Sequence, residues 1–190
     1  MKKISAFCLA VAIFTAGNAY AQQKRLPNNK FVLNPIMTMS MDLSKSIDDL
    51  LASKARDGRT FTLDVDGTIH GIKFRQIYFP KSISRFSVNI VVVRSLTTDY
   101  SIPEITEEMA DIGLRPATVQ ELVTFALEYP QLLTELENVT STREQEDMPD
   151  EYPMVVSDAN SGKLWARTAI FAKETTNRYY LFIREKGDEK

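Results

Sequence analysis

The sequence predicts a single α+β domain in which antiparallel strands flank a central pair of helices. A β-type pattern fills residues 59–95, two capped helical stripes follow over 101–130, and three strand-like runs close the chain between 153 and 185. Strands, helices and strands come in blocks, whereas a parallel βαβ sheet needs them to alternate.

In chain order, the first 21 residues read as a removable leader. Lys2 and Lys3 are a basic start, ISAFCLAVAIFT (4–15) is a short apolar run, and Ala19-Tyr20-Ala21 is a small-x-small cleavage site. The run is shorter than the roughly 20 residues that span a bilayer, and no second such run follows. The expected mature chain therefore begins at Gln22, lies in a bacterial periplasm or outside the cell, and has no membrane span. The leader takes with it Cys8, the only cysteine, so the mature chain has neither disulfide nor thiolate chemistry. It also takes two of the 23 basic residues, leaving 21 against 25 acidic ones. Such a mildly acidic chain has no general attraction for nucleic acid or anionic lipid.

Residues 22–41, QQKRLPNNKFVLNPIMTMSM, hold two prolines and paired asparagines and are expected to be a flexible arm before a domain at 42–187. DLSKSIDDLLASKARDG (42–58) places Leu43, Ile47, Leu50 and Leu51 on one helical face, with Gly58 as the stop. Phe61, Leu63 and Val65 alternate, IKFRQIYF (72–79) is strand-like, and FSVNIVVVRS (86–95) is a long β-branched run. Ser101-x-x-Glu104 is a capping box, with Ile105, Met109 and Ile112 as the buried stripe ended by Gly113. After a tight corner, Thr118-x-x-Glu121 caps a second helix running to Pro130, and LLTEL (132–136) adds a further turn. STREQEDMPDEYP (141–153) is expected to be a solvated loop. The closing strands are 153–157, 163–173 and 178–185, the last two joined by a turn at 174–177.

The stretch LDVDGTIHG (63–71) carries the sharpest chemistry. A hydrophobic strand ending in Asp-x-Asp-Gly-Thr resembles the opening of haloacid-dehalogenase-type phosphatases, which implies Asp64 as nucleophile, Asp66 as acid/base and Mg²⁺ on the phosphate. Ser95 and Asp158 are the candidates for two further parts of such a site. The lysine that should hold the phosphate is missing between them, and residues 69–95 lack the required alternation of strand and helix. Asp66-Gly67 is also a two-residue hairpin signal, and a hairpin is the expectation there.

His70 is the only histidine, which removes Ser-His-Asp triads and multi-histidine zinc sites. Trp165 and Tyr180 on the closing strands, and Arg115 at the helix corner, are the candidate ligand contacts. Asp158 and Asn160 offer oxygens to a cation, although DANSG is foremost a turn. No cofactor motif is present.

The segment Gly113–Thr118, Glu121-Leu122 and Tyr129-Pro130 (GLRPAT…EL…YP) resembles a set of small uncharacterised bacterial proteins, with a weaker likeness across 43–186. A helix, then Gly-Leu-Arg-x-x-Thr-x-x-Glu-Leu, then Trp- and Tyr-bearing strands is similar to bacterial C-type-lectin-like domains. This chain departs from them in reading Arg115-Pro116-Ala117-Thr118, in lacking the cysteines that many of them carry, and in lacking the Glu-Pro-Asn sugar motif. The expectation is an exported protein that binds a protein or carbohydrate ligand without catalysis; the alternative is a secreted Mg²⁺-dependent phosphatase.

Overall fold

The computed structural model describes residues 24–26, 30–42, 44–62, 85–143, 151–158, 163–170 and 178–184. The fold is α+β: helices pack on a mixed sheet. At the centre of the sheet lie β5 (Arg85–Ser95) and β10 (Tyr179–Arg184), paired antiparallel from Tyr179 opposite Arg94 to Arg184 opposite Asn89. Successive residues on these strands serve opposite faces. Val88, Ile90, Val92, Leu181 and Ile183 enter one core, while Val91, Val93, Tyr180 and Phe182 enter a second. A strand buried on both faces reads as an unbroken hydrophobic run, which is why VVV and YLF show no alternation.

The described residues of the arm expected at 22–41 are instead structural. Within it, β1 (Lys24–Arg25) pairs with β2 (Phe31–Leu33), and β2 and β3 (Met37–Asp42) together line the outer edge of β5. Leu33 faces Val93 and Met37 faces Ile90, so residues 34–36 span the length that residues 91 and 92 span on the partner. This is a one-residue bulge at Pro35, which has no N–H for the ladder, and Asn34 N–H donates to the Val92 carbonyl at 2.9 Å. The extra residue inverts the parity of the strand. Phe31 and Leu33 face the second core, whereas Met39 and Met41, also odd-numbered, face the first.

The helix expected over 42–58 shrinks to α1 (Ile47–Leu51). Asp42 belongs to β3, and Ser46 caps α1 in a capping box with Asp49. Beyond it the chain turns back through a bridge between Lys54 and Thr60, with Gly58 at φ 88°. Arg59 fixes that turn, donating to Asp57 Oδ2 at 2.7 Å, Ser157 Oγ at 2.8 Å and the Pro130 carbonyl at 2.6 Å. Three fixed acceptors for one guanidinium outweigh the helical preference of ASKA. The chain continues into β4 (Phe61–Thr62).

Both capping boxes of the helix pair are present, at Ser101/Glu104 for α2 (Ile102–Ala110) and Thr118/Glu121 for α3 (Val119–Glu128). The tight corner is not. Leu114–Pro116 forms β6 on the edge of β10, with Leu114 opposite Arg184 and Pro116 opposite Phe182. The strand carries the chain from one side of the sheet to the other: α2 and Leu114 pack in the second core, and Ala117 and α3 in the first. Gly113, at φ 75°, makes the turn out of α2. Ile112, expected in the buried stripe, is 39% exposed because the helix ends before it.

Pro130 starts α4 (Pro130–Leu136), which leads into β7 (Asn138–Thr140), then β8 (Glu151–Asp158) and β9 (Lys163–Ile170). The segment expected as a solvated loop is partly core: Ser141 and Thr142 are buried, Tyr152 and Pro153 lie in β8, and 144–150 fall outside the described residues. Ser141 Oγ donates to the Ala117 carbonyl, joining the chain after β7 to the chain after β6. The order is β1-β2-β5-β10-β7-β8-β9-β4, with β3 also on β5 and β6 also on β10. Antiparallel pairing dominates, but β4 runs parallel to β9 and β7 parallel to β10. The expected adjacency of the last two strands is replaced: β9 pairs with β8 and β4, and β10 lies between β5 and the β6/β7 edge. The turn at 174–177 and the leader 1–21 lie outside the described residues.

Candidate functional site

Of the three candidate ligand contacts, Arg115 is committed to a neighbour. Its Nη1 and Nη2 donate to Glu121 Oε2 and Oε1 at 2.9 and 2.7 Å, and Nη1 also reaches the Pro116 carbonyl at 3.2 Å. Glu121 is 4% exposed, and it accepts in addition from Thr118 N–H at 2.7 Å while Thr118 Oγ1 accepts from Glu121 N–H. A buried carboxylate requires such a partner set, because an isolated buried charge is strongly disfavoured. The rest of the segment is also structural. Leu114, Ala117 and Leu122 are core, and the Tyr129 hydroxyl donates to the Thr38 carbonyl of β3. GLRPAT…EL…YP thus describes a crossing of the sheet and the clasp that secures it.

Tyr180 is sealed in the second core at 0% exposure. Its hydroxyl lies 2.6 Å from that of Tyr100, whose ring stands edge-on to Phe31 at a centroid distance of 5.1 Å. Burial, and secondarily the hydrogen bond to Tyr100, push the Tyr180 phenol far above its ordinary range, so it stays neutral. It offers no surface to a ligand.

Trp165 differs. On β9 it is half-buried, opposite Val156 of β8 and beside Thr62 of β4. Leu164 and Val155 belong to the first core, so alternation directs Trp165, Val156, Met154 and Asp158 to the other face of the sheet. The second core and α2 occupy that face over β2, β5 and β10 and reach Tyr152 near the start of β8. Beyond Tyr152, along β8 and toward β9 and β4, it carries half-buried side chains: an indole, two apolar neighbours, a threonine and the Asp158 carboxylate, whose residue pairs with exposed Lys163. An aromatic body flanked by polar tips suits the face of a sugar or an apolar peptide side chain.

Asp64, Asp66, His70 and Asn160 lie outside the described residues. The other parts proposed for a phosphatase do not converge. Ser95 is fully buried, and its Oγ accepts from Arg178 N–H at 3.1 Å. Ser95 and Asp158 end strands separated by β10 and β7, three steps of about 4.8 Å or roughly 14 Å. Following the pairings from β4 through β9, β8, β7 and β10, β4 runs opposite to β5, so it heads toward the end of the sheet away from Ser95. Among the described residues no three His, Cys, Asp or Glu side chains group to hold a metal ion, and no helix is long and apolar enough to cross a membrane.

The sequence reading missed Arg59 as an organiser. Asp57-x-Arg59 was a visible charge pair, but its other acceptors, Ser157 and Pro130, are distant in sequence and come together only in the fold. No protein-family model, curated protein or solved structure matches the chain.

Proposed function

We propose that the chain is exported and works by binding, presenting the β8–β9 face around Trp165 to a protein or carbohydrate ligand. The observation that carries this is the fate of the three candidate side chains. Arg115 is held by Glu121, Tyr180 is sealed in the core, and Trp165 is half-buried on a sheet face with polar neighbours. Export rests on the Lys2–Ala21 leader pattern. The opposed directions of β4 and β5 favour binding over phosphoryl transfer, which needs its groups within a few ångströms of one another.

Two experiments test this proposal. N-terminal sequencing of protein from cell fractions is expected to find Gln22 as the first residue, outside the cytoplasm; intact Met1 in the cytoplasm contradicts export. Mature protein and Trp165→Ala, compared on an array of immobilised glycans and peptides, are expected to differ by at least about tenfold in affinity for any retained ligand, the scale of a buried aromatic contact of about 1.4 kcal/mol or more. Since Trp165 is the only tryptophan, its fluorescence reports each hit in solution. Equal binding by both proteins rules out this face.

A further inference from the structure

We draw no further inference here: the strongest candidate, the fork where β6 and β7 share one edge of β10 and Thr142 buries a hydroxyl with no hydrogen-bond partner among the described residues, rests on that single group, with no second observation beside it that points to a ligand.

Discussion

A mature chain shortened by removal of residues 22–41 is expected not to fold. The deletion takes Leu26, Phe31, Val32, Leu33, Met39 and Met41, all buried, from both cores. At about 1.5–3 kcal/mol for each side chain, the loss is on the order of 9–18 kcal/mol. Typical domains have only about 5–15 kcal/mol of total stability. The outer edge of β5 also loses its hydrogen-bonding partners, leaving an exposed strand that invites aggregation. Circular dichroism and limited proteolysis of the 42–190 chain would report the outcome. A cooperative unfolding transition within about 1 kcal/mol of that of the full mature chain would return these residues to the role of a tether.

Arg115→Ala is expected to destabilise the protein by about 3 kcal/mol, the lower end for a broken buried pair, because the Arg115 side chain is itself 36% exposed. The cost comes from Glu121, which is 4% exposed in the intact protein and, among the described residues, would keep Thr118 N–H as its one strong donor. Arg115→Met combined with Glu121→Gln is expected to recover most of the loss. It removes the charge, keeps an acceptor for Thr118 N–H, and retains apolar bulk over the crossing. Urea denaturation of the mature protein, the single variant and the double variant measures this directly. Arg115→Ala with an unchanged midpoint, accompanied by weaker ligand binding, would make Arg115 a binding residue.

The features that were legible in the sequence are those with local causes. Ser101/Glu104 and Thr118/Glu121 announce their helices because a capping box is closed within four residues. The β-branched run ending at Ser95 announces β5 by composition. What stayed hidden depends on distant partners. Met39 and Met41 alternate with Thr38 and Ser40, a period-2 signal, but the bulge at Pro35 breaks it from Phe31–Leu33 and gives the segment the look of a loop. Leu114–Pro116 contains a proline and is too short to read as a strand; its pairing is supplied by β10. The candidate site divides in the same way. Alternation separated Trp165 from Leu164, but which face α2 covers, and hence which aromatic remains half-buried, is decided by the path of β6 through the sheet.

Whether the chain binds without catalysis is tested most directly by turnover of a generic phosphomonoester with Mg²⁺, using purified mature protein beside its Asp64→Asn variant. Asp64 and Asp66 open the one motif in the sequence with a defined reaction attached, and β4, which precedes them, runs away from the end of the sheet where Ser95 and Asp158 lie. The expected result is no hydrolysis above the no-protein control in either sample. Mg²⁺-dependent hydrolysis by the mature protein that disappears in Asp64→Asn would contradict the proposal and establish the phosphatase.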